Sequence, residues 1–223
     1  MAFAHPQGQH NSTGGGSATT VAATGSAIGS GNVVLGTVFW GNSATTLSSV
    51  KDDKNNTYTV KDSTVATDGV GSASFILGNI TNSPITITAT FSVSTNFLTI
   101  IWDEYSGALA SADPSDGHAF QSQTVTTSQS SGNIVTTVNG DLIYGASWDL
   151  NGASAFTAAG GSTIRTTDSA GAPGASEDKV QSTAGSVSST FTSSAADDYT
   201  TYVIAVKPAA TGVPNVLMGQ IML

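Results

Sequence analysis

Along most of the chain, apolar and polar residues either alternate one for one or gather into short apolar runs. Turn-forming residues interrupt this pattern about every eight to twelve positions, as expected of antiparallel strands in a sandwich or barrel. The clearest alternation, Ile85-Thr86-Ile87-Thr88-Ala89-Thr90-Phe91, puts Ile85, Ile87, Ala89 and Phe91 on one face and threonines on the other. Strands are predicted over 18–24, 31–40, 46–51, 56–62, 71–79, 84–93, 96–105, 119–127, 141–149, 162–166, 176–182, 186–192 and 199–207. Between them, Asp53-Lys54-Asn55-Asn56, Asn82-Ser83-Pro84, Asn139-Gly140-Asp141 and Asn151-Gly152 supply residues that tolerate positive φ or pre-set a turn. No stretch carries a helical stripe. The expected fold is all-β, an antiparallel, jelly-roll-like β-sandwich.

The pattern also repeats. Gly31-Asn32-Val33-Val34-Leu35-Gly36, closing on Phe39-Trp40, returns as Gly140-Asp141-Leu142-Ile143-Tyr144-Gly145, closing on Trp148. Each copy leads through a Ser/Thr/Gly-rich stretch to a second apolar run, Ile100-Ile101-Trp102 in one and Tyr202-Val203-Ile204 in the other. The expected body is therefore 18–207, built from two sequence-related halves at about 18–110 and 119–207. Gly36 and Gly145 stand inside strands, where a glycine packs nothing; close approach of another backbone, or a bulge, is the expected reason.

Both ends differ from the body. Residues 1–17, ending Ser12-Thr13-Gly14-Gly15-Gly16-Ser17, have the composition of a flexible arm that a neighbouring subunit would hold in place. Residues 208–223 form a tail ending Val216-Leu217-Met218-Gly219-Gln220-Ile221-Met222-Leu223, with six large apolar side chains. Burying each is worth roughly 1.5–3 kcal/mol, so the tail is expected to cover its own sandwich or to dock on a partner. Val216, Leu217, Met218, Ile221, Met222 and Leu223 are the expected assembly contacts.

Charge narrows the partners. With 15 acidic and 6 scattered basic residues, the net charge is −9, and a phosphate backbone would find no cluster of cations to bind it. Nucleic acid is not an expected partner. The chain has no cysteine, which removes disulfides, thiolate metal sites and cysteine nucleophiles. The opening Met1-Ala2-Phe3-Ala4-His5-Pro6-Gln7 has neither the basic residues nor the apolar run of a signal peptide. No stretch reaches the roughly 18 apolar residues of a membrane span.

Candidate chemistry is sparse. Of His5, His10 and His118, two lie in the arm, and only His118, in the loop joining the halves, is placed to serve a triad. The acidic doublets Asp52-Asp53, Asp103-Glu104, Glu177-Asp178 and Asp197-Asp198 point to opposite strand faces, so none is an acid/base couple by itself. Asp103 and Glu104, beside Trp102, are the least ordinary, and a buried one would need a partner such as Lys51 or Arg165. No ladder of calcium ligands exists; no metal, cofactor or catalytic residue is expected. Trp40 and Trp148 close the two matching runs and suit core packing, or a platform for sugars.

The strings Ser48-Ser49-Val50-Lys51-Asp52, Asn55-Asn56-Thr57-Tyr58, Glu104-Tyr105-Ser106-Gly107, Gly140-Asp141-Leu142-Ile143 with Trp148, Glu177-Asp178-Lys179-Val180 and Val203-Ile204-Ala205-Val206-Lys207 together resemble the duplicated Ser/Thr/Gly-rich β-sandwich proteins of phage particles and bacterial surfaces. The likeness covers about 18–207 and carries no functional residue over. It implies a non-enzymatic structural subunit of a virion, a phage head decoration or tail-associated protein that meets neighbouring copies or other particle proteins through its termini. The alternative is an extracellular or cell-surface carbohydrate-binding, adhesin-like module using Trp40 and Trp148 on surface glycans.

Overall fold

A computed structural model of the chain describes residues 2–65, 69–149, 155–170 and 172–210. Among them are sixteen strands and no helix: β1 (Ala4–Ser12), β2 (Ala18–Thr24), β3 (Asn32–Trp40), β4 (Leu47–Asp52), β5 (Thr59–Val65), β6 (Gly71–Ile80), β7 (Thr86–Thr95), β8 (Thr99–Ser106), β9 (Ser115–Ser130), β10 (Ile134–Val135), β11 (Asp141–Asp149), β12 (Phe156–Ala158), β13 (Thr163–Asp168), β14 (Gly174–Gln181), β15 (Ser186–Val187) and β16 (Thr190–Val206). All the pairings between them are antiparallel.

One large sheet has the order β1-β8-β3-β6-β5, and beside it lies a small sheet, β2-β7-β4. The other large sheet runs β16-β11-β14-β13, with β9 on the outer side of β16. The pairing of the long β9 and β16 is irregular between Thr192 and Tyr199, and beyond that irregularity β16 also pairs with β12. β10 and β15 pair as a separate ribbon.

The two large sheets face each other. Val33, Leu35 and Phe39 of β3 project toward Leu142, Tyr144 and Trp148 of β11, with Tyr105, Ile204 and Tyr202 around them. The Phe39 and Trp148 rings lie 5.8 Å apart. On the other face of β3, Val34, Val38 and Trp40 meet Val50, Ile87, Ala89 and Phe91 from the small sheet. Ile143 of β11, with Val203 and Ala205, meets Ile134 and Val187 in the same way. β3 and β11 are thus covered on both faces, which is why they read as unbroken apolar runs while β7 alternates.

Of the two strand-interior glycines, Gly36 has a backbone close by as expected, whereas Gly145 is crowded by side chains alone. A Cβ at Gly36 would run into the Phe75 ring and the Ile101 carbonyl, and one at Gly145 into the Ser189 side chain. Trp40 lies opposite Gly71 of β6, and Trp148 opposite Gly174 of β14.

The N-terminal segment also differs from expectation. Residues 4–12 are not an arm reaching for a neighbour: β1 pairs with β8 of its own chain, from Gln7 opposite Glu104 to Ser12 opposite Thr99. Pro6 falls where the register slips, on an edge strand, where the missing N–H is tolerated. The six expected assembly contacts, Val216 to Leu223, lie outside the described residues.

Candidate functional site

Burial of acidic side chains is the least expected feature of the fold. Asp52, Asp103, Glu104, Asp141, Asp149, Asp168, Glu177 and Asp178 are all buried. A buried carboxylate costs several kcal/mol unless donors surround it, and this chain has few cations to offer. It supplies N–H and O–H groups instead. Glu104 accepts the Gln7 amide at 2.6 Å, the Gly29 N–H at 2.8 Å and the Asn32 amide at 2.5 Å. Asp103, on the opposite face of β8, accepts the Thr166 hydroxyl at 2.7 Å and the Ser176 hydroxyl at 2.6 Å, and pairs with His5 Nε2 at 2.9 Å. Neither has the cationic partner that the sequence suggested: Arg165 pairs with Asp178 at 2.8 Å, and Lys51 is exposed.

Glu104 is served within its own half of the molecule, whereas Asp103 faces the other large sheet, near where β1 lies against β13. Thr166 of β13 and Ser176 of β14 reach across to Asp103. His10 of β1 reaches Asp168 of β13 at 3.0 Å, and His118 of β9 reaches Asp62 of β5 at 2.9 Å. Gly8 makes room for the first group, because a Cβ there would strike Thr166 and Asp103. All three histidines therefore clasp carboxylates at sheet edges. The Thr166 and Ser176 hydroxyls donate to the Asp103 carboxylate. Among the described residues, no group of three or more His, Asp or Glu side chains is placed to hold a metal ion.

Two cavities open at one end of the interface. The first, about 590 Å³, is walled mainly by Phe3, Leu109, Val138, Val180, Pro208 and Ala210. Here the two ends of the described chain meet, and Ala209 N–H is held by the Gly107 carbonyl at 2.7 Å. The second, about 330 Å³, shares Phe3 and Val180 but is polar, lined by His5, Tyr105, Arg165, Asp178 and Lys179. Burial, together with the charges of Asp103 and Asp178, pushes the Tyr105 phenol well up, so it stays protonated. Tyr144 behind it is pushed up by burial and the Asp103 charge. The hydrogen bond to Asp178 holds the Arg165 guanidinium charged.

Two further acids carry unusual electrostatics. Glu177 accepts the Ser189 hydroxyl at 2.7 Å, but burial dominates and raises its carboxyl to about 7. Asp141 is pushed up to about 7 by burial and then by the adjacent Asp116 carboxylate. Burial would raise Asp116 too, but the Thr137 hydroxyl and N–H, with Lys207 Nζ at 3.0 Å, outweigh it and hold Asp116 well below the usual range. Asp141 thus gives up its proton only around neutrality, while Asp116 and Lys207 form an ion pair.

Of the residues singled out from sequence, Trp40 and Trp148 are core residues, 1% and 0% exposed, and present no ring face to a sugar. Their indoles fill the space between layers, which is where strands covered on both faces send large side chains. His118 pairs with Asp62 and lines neither cavity. Sequence reasoning missed His5, Gln7 and His10 as partners of buried acids. Both faces of this segment are polar, with His5, Gln7, Gln9, His10 and Asn11, so its alternation carried no signal. No helix among the described residues is long and apolar enough to cross a membrane. Comparison with family models, with curated proteins and with solved structures finds no match to this chain.

Proposed function

We propose that the chain is a non-enzymatic structural subunit of a virus-like particle, a phage head decoration or tail-associated protein, that assembles through its termini. The observation that carries this reading is the convergence of Ala2-Phe3 and Pro208-Ala209-Ala210 on one open apolar cavity, from which the sequence continues into the apolar run ending at Leu223. The polar groups inside the body support it from the other side, because the three histidines are taken up by Asp103, Asp168 and Asp62.

The body is read as two related eight-strand units, β1 to β8 and β9 to β16. In support, the orders β1-β8-β3-β6-β5 and β9-β16-β11-β14-β13 are the same order shifted by eight strands. In each unit the first strand pairs with the eighth and the third with the sixth, which is jelly-roll order. On this reading β1 belongs to the first unit, and that unit starts near residue 4 and not at 18. Jelly rolls serve both as particle subunits and as lectin modules, so fold alone does not choose between them.

The second reading, a carbohydrate-binding module, is favoured by the polar cavity, where Arg165, Asp178 and Tyr105 stand beside Phe3. Trp40 and Trp148 no longer bear on it. The native mass of the full chain in solution tests the first reading. A mass above that of one chain, unchanged by added sugars, is expected; a single chain at every concentration tested overturns it.

A further inference from the structure

We propose that Asp116, Asp141 and Lys207 form a proton-operated latch at the corner where β9 and β11 begin and β16 ends: protonated Asp141 holds this corner shut, and its ionisation loosens it. The inference stands on the corner itself and does not depend on how the chain assembles.

Three observations carry it. The first is a count of charges. Asp141 is fully buried and the Asp116 side chain is 2% exposed, yet among the described residues the corner holds a single cation, Lys207, whose Nζ lies 3.0 Å from Asp116. Asp141 faces Asp116 of β9 and Lys207 at the end of β16, and β14 sets the neutral Gln181 opposite it. Asp113, close by in sequence, is taken by Lys61. One cation does not offset two buried carboxylates, so a second charge in this corner needs further donors.

The second observation is that those donors are missing. Asp116 accepts the Thr137 hydroxyl at 2.6 Å and the Thr137 N–H, whereas no described N–H or O–H donates to either oxygen of Asp141. A buried carboxyl without donors, set beside a carboxylate, keeps a proton of its own, and that proton ties the two side chains together. Burial and then the Asp116 charge raise Asp141 to about 7, so the tie is lost as pH rises past neutrality.

The third is what the corner fastens. Lys207 N–H donates to the Pro114 carbonyl at 2.9 Å, its carbonyl accepts the Leu109 N–H at 2.8 Å, and Ala209 N–H donates to the Gly107 carbonyl at 2.7 Å. Lys207 therefore holds the end of β16 to the β8–β9 connection through its backbone and to Asp116 through its side chain. The Lys207 side chain is 33% exposed, and Thr137 and Asn139 are exposed, so a small separation of this turn from Lys207 lets water reach Asp141. Hydrating the ionised acid in this way relieves the second charge while the sheets stay paired, which is a local opening and not unfolding.

Amide hydrogen exchange of the full-length chain between pH 6 and 8, expressed as protection relative to an unstructured chain at each pH, tests the latch. Protection of Leu109, Lys207 and Ala209 should lie well below that of Leu35 in β3 and fall about ten-fold across the range. In Asp141→Asn, whose side-chain amide donates to Asp116 as the protonated acid does, it should change by less than about two-fold. Protection that is flat in the wild type overturns the proposal. So does protection at the corner equal to that of Leu35, or a fall that persists in Asp141→Asn, because the corner then opens only with the whole molecule. Should Asp141→Asn fail to fold, carboxyl NMR of the wild type decides. An Asp141 carboxyl that titrates near neutrality, with the Thr137 amide shift following the same midpoint, supports the latch; one that titrates in the ordinary acid range, or a Thr137 amide that ignores it, overturns it. None of these outcomes touches the native mass, so the latch and the assembly reading fail separately.

Discussion

The Asp103 carboxylate of one large sheet accepts the Ser176 hydroxyl of the other at 2.6 Å, inside the interface, with no solvent exposure at either residue. A charge in that position is held only by the donors aimed at it. Replacing Asp103 with alanine leaves His5, Thr166 and Ser176 without their acceptor and is expected to cost about 3–5 kcal/mol. Ser176→Ala, which removes one donor of three, should cost about 1–3 kcal/mol. Chemical denaturation of the two variants checks the ranking, and equal stabilities would show that the two sheets do not depend on this contact.

Removal of residues 2–12 is expected to lower stability by more than any single substitution among them. The deletion uncovers β8 and withdraws Gln7 from Glu104, His5 from Asp103 and His10 from Asp168 together. A denaturation midpoint unchanged by the deletion would mean that the segment is a loose arm after all.

Glu177 makes stability depend on pH in an unusual direction. Its folded carboxyl titrates at about 7, above the ordinary value of 4.5, so between those values the folded state holds a proton that the unfolded chain has released. The stabilisation is complete below 4.5 and is lost as pH rises through 7, by up to about 3 kcal/mol. Asp141, raised to about 7 from 3.8, acts in the same direction. Denaturation measured from pH 4.5 to 8 should show stability falling across that range in the wild type and falling less in Glu177→Gln. Parallel curves would place the Glu177 titration elsewhere.

Gly36→Ala is expected to destabilise by about 1–3 kcal/mol, because the Phe75 ring and the Ile101 backbone are both in its way. Gly145→Ala should cost at least as much, since the Ser189 Cβ lies in the way as well as its hydroxyl, no rotamer moves a Cβ, and that hydroxyl is held by Glu177. Thermal midpoints of the two variants test the order, and a harmless Gly36→Ala would mean that β3 and β6 have room to separate.

Much of the strand layout was legible from the chain. β2 and β11 fall where the pattern predicts them, and β6, β7 and β8 within a few residues, because covered apolar faces leave a clear period. β1 was not legible. Its inward side chains bind carboxylates, so a strand in the sheet has the composition of a linker. The short β10 and β12 carry too few residues to show any period. Asp103 and Glu104 stood out in the sequence, but their partners did not. Thr166, Ser176 and Gln7 lie 63, 73 and 97 positions away, and neutral donors carry no signal that a charge is near. The cavity at the chain ends joins β1 to the end of β16, a meeting that only the sheet order brings about.

Light scattering on the full chain and on a chain lacking residues 213–223 tests assembly through the termini most directly. The full chain should form a species larger than one copy, and the shortened chain should be a single copy with its denaturation midpoint unchanged. An intact chain that stays single, or an assembly that survives the deletion, would contradict it.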